Sequence, residues 1–341
     1  MSVFVSGATG YIAQHIIAQL LEQNYKVIGS VRTQAKADRL ARLFNNPNLS
    51  FVIVPDLAKL DAFDEAFKEH GKEIKYVLHT ASPCFFESDD VVNEILIPAR
   101  NGTLSILESI KKHAADTVER VVVTSSYAAT GDITKLRENK EPLTEDCWND
   151  LTWENCQVSA STAYCCSKKT AERAAWDFLR ENRDKVKFKL STVNPVYVFG
   201  PQLFDESVSK VLNLSCEILN CLLQLGPNDK FDEFYGQFID VRDVAKVHLL
   251  AFQREDTAGH RLLLSEGDFD SQDLLNQVNK DFPSVRGKIP VGNPEEGIRG
   301  KNVIQQVDNS RTKKLLGIEF ISFEKSIDDT ARQIFKMDGR L

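Results

Sequence analysis

A chain of 341 residues, 42% of them hydrophobic, can bury a large core as one α/β domain or as a domain with a smaller lobe. Its 42 Lys and Arg against 49 Asp and Glu give a formal charge of −7 without long single-sign runs, which lacks the clustered cationic footprint of a nucleic-acid binder. No apolar stretch reaches the length of a membrane span, and the sequence opens directly into an apolar strand without a basic leader, so no membrane partner and a cytoplasmic location are expected. Seven scattered cysteines form neither a disulfide framework nor paired C-x-x-C knuckles, and no metal is expected.

Short apolar runs alternate with helical patterns through the first half. SVFVSG is followed by the amphipathic GYIAQHIIAQLLEQ, then YKVIGSV, a helix through RLARLF, and LSFVIVPD. YVLHTAS and RVVVTSS flank a helical pattern from about Val91 to Ala114, and KFKLSTVNP supplies another strand. Such alternation predicts repeated βαβ units and a parallel sheet. Between Tyr127 and Ser161 the pattern gives way to a polar stretch, TGDITKLRENKEPLTEDCWND, read as a surface loop of a length that is often functional. From Gly200 a mostly helical segment begins, FIDVRDVAKVHLLAFQ reads as a strand feeding a helix, and the last eighty residues mix short elements.

The first strand runs into VFVSGATGYIAQHI, which places Gly7, Gly10 and Ala13 in a G-x-x-G-x-x-A spacing at the start of a helix. A glycine permits the tight turn, a second lets the backbone approach a pyrophosphate, and a small third residue allows close helix packing. The helix N-terminus adds amide donors and partial positive charge, so Gly7, Thr9, Gly10, Tyr11 and Ile12 are candidate contacts to a dinucleotide. An acid at the end of the second strand would bind the ribose 2′-hydroxyl of NAD, whereas an arginine accommodates the 2′-phosphate of NADP. Here that strand ends Gly29, Ser30, Val31, Arg32, and Lys36 follows one helical turn later, which favours NADP. Asp56 and Leu57, after the third strand, are placed at the adenine edge.

Tyr164 and Lys168 form Y-x-x-x-K in the helical STAYCCSKKTAERAAWDFL, so their side chains share one face. A phenol of pKa about 10 must move by roughly three units, about 4 kcal/mol, to exchange protons efficiently near neutrality. A nearby ammonium and an oxidised nicotinamide supply that stabilisation. Ser125 and Ser126 end the strand RVVVTSS at the carboxyl edge of the predicted sheet, where ligands of open α/β folds bind, and a hydroxyl there suits a substrate carbonyl. No H-E-x-x-H, G-x-S-x-G or Walker loop supports a rival chemistry.

SGATGYIA, HTAS, TSS, YCCSKK, NPVYVFGP and FIDVRDVA, in that order, resemble the extended short-chain dehydrogenases, and within them the yeast NADPH-dependent carbonyl reductases related to plant dihydroflavonol reductases. The resemblance runs nearly end to end. It implies a Rossmann-type doubly wound parallel sheet flanked by helices, over residues 1–199 and 233–264, with a smaller discontinuous C-terminal substrate lobe and terminal helix over 200–232 and 265–341. It implies Ser126, Tyr164 and Lys168 as the catalytic trio, with Lys168 also on the nicotinamide ribose and Asn101 supporting a water chain to it. It further places Pro195 to Val198 at the nicotinamide carboxamide, Thr80, Ala81 and Ser82 along the cofactor channel, and Phe85, Tyr127 and Tyr197 as pocket walls.

The expected reaction is transfer of hydride from NADPH to a small-molecule aldehyde, ketone or 2-oxoaldehyde, with Tyr164 as proton donor. Two other readings compete. A nucleotide-sugar epimerase or dehydratase of the same fold prefers tightly held NAD and a pocket with cations for a diphosphate, against which Arg32 and the aromatics near Tyr197 stand. A non-catalytic NADP sensor has no need of an intact Ser, Tyr and Lys set. Monomer and homodimer both remain open.

Overall fold

The computed structural model describes residues 2–82, 88–138, 140–208 and 211–341. Its first half alternates as expected: β1 (Ser2–Ser6), α1 (Tyr11–Glu22), β2 (Lys26–Val31), α2 (Gln34–Phe44), β3 (Leu49–Ile53), α3 (Asp64–His70) and β4 (Ile74–His79). A π-helical turn over Val92–Leu96 leads into α4 (Ile97–His113), followed by β5 (Arg120–Thr124), α5 (Ala160–Glu181) and β6 (Lys189–Pro195). The second half holds β7 (Tyr197–Phe199), α6 (Leu214–Gln224), β8 (Tyr235–Asp240), α7 (Val241–Gln253), β9 (Arg261–Leu264), β10 (Gly267–Asp270), α8 (Ser271–Asp281), α9 (Ser310–Leu316) and α10 (Phe323–Met337).

Seven strands form one parallel sheet in the order β3-β2-β1-β4-β5-β6-β9. Parallel strands need crossover helices, which bury both faces, and the central strands accordingly carry unbroken apolar runs: Val3, Phe4 and Val5 are fully buried, as are Val121 and Val122. On one face Ile16, Ile17 and Leu20 of α1 meet Val244 and Val247 of α7. On the other, Phe67 of α3, Ile106 and Ile110 of α4, and Phe178 of α5 close over Phe4. Chain order reverses at β1, whose neighbours are β2 on one side and β4 on the other, so a crevice opens beyond the carboxyl ends of β1 and β4. The doubly wound Rossmann architecture is thereby borne out.

A second sheet of three strands, β10-β8-β7, packs under α6, α8 and α10. Its core is aromatic: Phe199 meets Phe269 edge-on at 5.0 Å between ring centres, and Phe238 meets Phe323 at 5.1 Å. Strands β7 and β8, within the ranges 1–199 and 233–264 that the sequence reading gives to the nucleotide domain, pair with each other and belong to this sheet. Only α7 and β9 return from there to the large sheet. By strand pairing the chain leaves the large sheet after Pro195 and rejoins it at β9, because the NPVYVFGP motif spans two strands rather than one.

Among the described residues the polar stretch from Tyr127 to Ser159 is loop with three short 3₁₀ turns, Ala160 and Ser161 already belong to α5, and the segment after Gly200 is helical chiefly over α6. Among the described residues no helix is long and apolar enough to cross a membrane, and no cluster of His, Cys, Asp and Glu has metal-site geometry.

A candidate cofactor cleft and catalytic cavity

At the end of β1 the backbone turns at Gly7, whose φ of 68° lies in the left-handed region; a Cβ there would stand 3.0 Å from the Ala81 backbone. Helix α1 begins at Tyr11 with Gly10 as its cap, and no side chain caps the first turn, which leaves its amides for an anion. The crevice is tied across the switch point by Ser6. Its hydroxyl oxygen accepts the amides of Thr80 and Ala81, each at 3.0 Å, and lies 2.9 Å from Nδ1 of His79. The hydroxyl proton is thus directed to Nδ1, which leaves the proton of the neutral ring on Nε2.

A cavity of about 290 Å³ follows these strand ends and is lined by Gly7, Thr9, Gly10, Arg32, Lys36, Leu57, Thr80, Ala81 and Ser82, all expected at the cofactor. Ser30, Val54 and Phe63 also line it and were missed. Ser30 carries a legible signal, since its position directly behind Arg32 lets its hydroxyl accept the Gly7 amide at 3.1 Å. Phe63 gives none, because its ring arrives through the packing of α3. Asp56 is not among the lining residues: its carboxylate is exposed and accepts the Ala58 amide at 2.9 Å, closing its own turn. Arg32 and Lys36 are exposed, and neither has an ion-pair partner among the described residues.

A glycine turn too tight for a side chain, uncapped amides and two unpaired cations fit a dinucleotide bearing a 2′-phosphate.

A second cavity, about 310 Å³, adjoins the first at Gly10, Thr80 and Ser82. It brings together Ser126 from the end of β5, Tyr164 and Lys168 from α5, Tyr11 and Ile12 from α1, and Pro195, Tyr197 and Val198 from the β6–β7 junction. Helix α5 starts at Ala160 because Ser159 caps it, its hydroxyl accepting the Thr162 amide at 3.2 Å. One turn separates Tyr164 from Lys168, and the Lys168 ammonium sits 5.4 Å from the centre of the Tyr164 ring. The two strand-end serines, equivalent in sequence, differ here. Ser125 gives its proton to the buried Glu172 carboxylate at 2.5 Å. Ser126 instead accepts the Ala128 amide at 3.1 Å, which leaves its own proton for a ligand oxygen.

Tyr127 lines the same cavity as a buried wall, and burial pushes its phenol well above the ordinary value. Tyr197 also lines a further chamber of about 380 Å³ with Ile133, Ser161, Leu214, Ile218 and Phe234. Its ring stands over Gly236, where a Cβ would come within 2.7 Å of it, and meets Phe234 edge-on at 5.1 Å. Phe85 and the neighbouring Cys84 lie outside the described residues.

The expected water chain through Asn101 is not supported by its side chain, whose amide donates to the Ala58 carbonyl at 3.0 Å. His79 and Thr103 line, together with Lys168, Ser125 and Glu172, a cavity of about 10 Å³. Burial, aided by the Lys168 charge, lowers the His79 imidazole to about 3, so the ring is neutral in the working range. Cys165 and Cys166, next to Tyr164, are buried in the α5 packing, and burial pushes the Cys165 thiol up to about 12, far from a reactive thiolate.

The chain matches the model of the NAD dependent epimerase/dehydratase family over residues 3–264. An NADPH-dependent methylglyoxal reductase of Saccharomyces cerevisiae is 56% identical, with all of each chain covered. The chain belongs to that family. Within the epimerase/dehydratase family it is also 46% identical to a putative NADPH-dependent methylglyoxal reductase of Candida albicans, over 98% of each chain. The crystal structure of the yeast methylglyoxal/isovaleraldehyde reductase Gre2 complexed with NADPH superimposes with a TM-score of 0.97 at 56% identity, covering all of both chains. The resemblance to extended short-chain dehydrogenases is borne out by these matches.

Proposed function

We propose that this chain is a cytoplasmic NADPH-dependent reductase of aldehydes, ketones and 2-oxoaldehydes. The observation that carries the reading is the meeting of Ser126, Tyr164 and Lys168 in one cavity that adjoins the Arg32 and Lys36 cleft. The yeast relative, named for methylglyoxal reduction with NADPH and identical at 56% of positions, supports the same cofactor and substrate class.

Gly7, Gly10 and the first turn of α1 would hold the pyrophosphate, Arg32 and Lys36 the 2′-phosphate, and Pro195 and Val198 the carboxamide edge. A bound reduced nicotinamide would supply a hydride, a proton with two electrons, for the carbonyl carbon. Ser126 donates a hydrogen bond to the carbonyl oxygen, and Tyr164 delivers the proton that turns the developing alkoxide into an alcohol. Lys168, cationic one turn away, favours the phenolate that remains and holds the nicotinamide ribose. Solvent then returns a proton to Tyr164.

The two chambers that Tyr197 borders are mainly apolar, and among the described residues Lys168 is the sole Lys or Arg that lines them. A sugar nucleotide diphosphate would need further cations there, so this favours a compact carbonyl compound over an epimerase substrate. Replacing Tyr164 with Phe should lower kcat by roughly 10²–10⁴-fold while NADPH still binds, as read by rates with methylglyoxal and isovaleraldehyde and by quenching of protein fluorescence. Undiminished reduction would remove Tyr164 as the proton donor, and loss of NADPH binding would make it a cofactor-site residue instead.

A further inference from the structure

Four residues beyond Lys168 on α5 lies Glu172, fully buried and on the same helix face. A carboxylate taken out of water must be paired and hydrogen-bonded, and here both oxygens are. Oε1 accepts the Arg261 Nε proton at 2.6 Å and the Trp176 indole proton at 3.3 Å. Oε2 accepts the Ser125 hydroxyl at 2.5 Å, the Asn194 side-chain amide at 2.7 Å and an Arg261 Nη2 proton at 3.4 Å. Arg261 is anchored in turn: its guanidinium donates to the carbonyls of Glu145 at 2.7 Å and Cys147 at 2.5 Å and lies 3.8 Å from the Trp148 ring centre.

Two of these Oε2 partners, Ser125 and Asn194, lead to Ser126. Ser125 precedes it in the chain, and its amide is also held by the Val193 carbonyl at 2.8 Å. Asn194 donates to the Ser126 carbonyl at 3.1 Å as well as to Glu172. The side chain before Ser126 and the carbonyl after its Cα are therefore fixed to one buried, ion-paired oxygen. Among the described residues the Ser126 hydroxyl has one hydrogen bond, from the Ala128 amide, so the direction of its proton depends on where the backbone holds the Cα–Cβ bond.

We propose that Glu172, neutralised by Arg261, is a positioning residue that aims the Ser126 hydroxyl at the substrate oxygen through Ser125 and Asn194. The proposal rests on the carbonyl reductase reading above. It assigns Ser125, which the TSS motif alone cannot separate from Ser126, to alignment rather than to contact with substrate. A misplacement of about 1 Å costs on the order of 10²-fold in rate, so even a partial release of the Ser126 backbone is measurable.

Ser125→Ala removes one link between Glu172 and the strand end and leaves the carboxylate paired with Arg261. It should lower kcat for methylglyoxal about tenfold with the Kd for NADPH unchanged. Trp176→Phe is the control, because it deletes a hydrogen bond to the same carboxylate on the side away from Ser126; kcat should stay within about twofold of the parent. Asn194→Ala, which severs the second link, should reproduce the kcat loss if Ser125→Ala folds poorly. Equal kcat in Ser125→Ala and Trp176→Phe, or a Ser125→Ala defect confined to NADPH affinity, would overturn the positioning role. So would failure of both Ser125→Ala and Asn194→Ala to fold, since the network would then serve stability. The Tyr164→Phe result stands apart from all of these: turnover retained there defeats the reductase reading itself, whatever Ser125 does.

Discussion

The two ends of the cleft are built differently. At the cofactor end, Gly7, Gly10, Arg32, Thr80 and Ser82 all sit at the carboxyl ends of neighbouring parallel strands, each within a few residues of the strand that carries it. At the substrate end, Ile133, Ser161, Tyr197, Leu214 and Phe234 arrive from five separated segments, and Tyr197 and Phe234 among them pack against the aromatic core of the small sheet. Backbone geometry defines the first end and side-chain packing the second. Substitutions at the cofactor end should therefore act through turn conformation and charge, with large effects on every substrate, whereas those at the substrate end should act through volume and sort one substrate from another.

The largest effect is expected at Gly7. A valine there would have to hold φ near 68° and place its Cβ 3.0 Å from the Ala81 backbone. The left-handed conformation alone costs a β-branched residue at least about 1–2 kcal/mol, and relief of the clash must part the very loops that flank the pyrophosphate. Gly7→Val should weaken NADPH binding by on the order of 100-fold or more and lower Tm, measured by calorimetric titration and thermal melting. Binding within threefold of the parent would mean that the turn is not what receives the phosphates.

Arg32 sharpens the same contrast through charge. A hydrogen bond to an ionised group contributes about 1.5–3 kcal/mol, which corresponds to roughly 10- to 100-fold in affinity. Arg32→Ala should raise the KM for NADPH by that factor and leave the KM for NADH nearly unchanged, because only NADPH carries the 2′-phosphate. Initial rates with both coenzymes decide it. An equal loss for both would move Arg32 from the 2′-phosphate to the adenine face or to loop structure.

The difference between the ends also explains what could be read from the sequence. The glycine turn, Arg32 and the Tyr164 and Lys168 pair each depend on spacing within one element, and spacing survives in a linear string. Asp56 looked suitable by the same rule, yet its carboxylate closes its own turn on the Ala58 amide, an option open to any Asp after a strand. Asn101 was placed by family position, but its helix turns the side-chain amide toward Ala58, while His79 and Thr103 come to the side of Lys168. Helix α3, seven residues from Asp64 to His70, escaped notice because so short a helix shows little periodicity and forms through the burial of Phe67. In the sequence Glu172 is one of three acids in α5, with Asp177 and Glu181, and nothing local sets it apart. Its burial depends on Arg261, 89 residues away, and on Asn194 in β6, which no local pattern connects to it.

The smallest effect, and the most selective, is expected at Phe234. Its ring closes the outer chamber, edge-on to Tyr197 at 5.1 Å and near-parallel to Phe269 at 6.2 Å. Its backbone amide and carbonyl are both bonded to Ser271, at 2.9 and 2.8 Å, so truncating the side chain leaves the strand entry in place. An aryl or branched ketone long enough to reach from Ser126 past Tyr197 loses part of an apolar wall in Phe234→Ala, about 1 kcal/mol or some fivefold in kcat/KM. Methylglyoxal, confined by its size to the space beside Ser126 and Tyr164, should change less than twofold. Competing the two substrates in one reaction mixture reads that ratio directly. A uniform loss for both would show that Phe234 steadies Tyr197 and the catalytic cavity behind it, so that the two ends of the cleft are mechanically joined; no change for either would place the bulky group elsewhere, along α6 at Leu214 and Ile218.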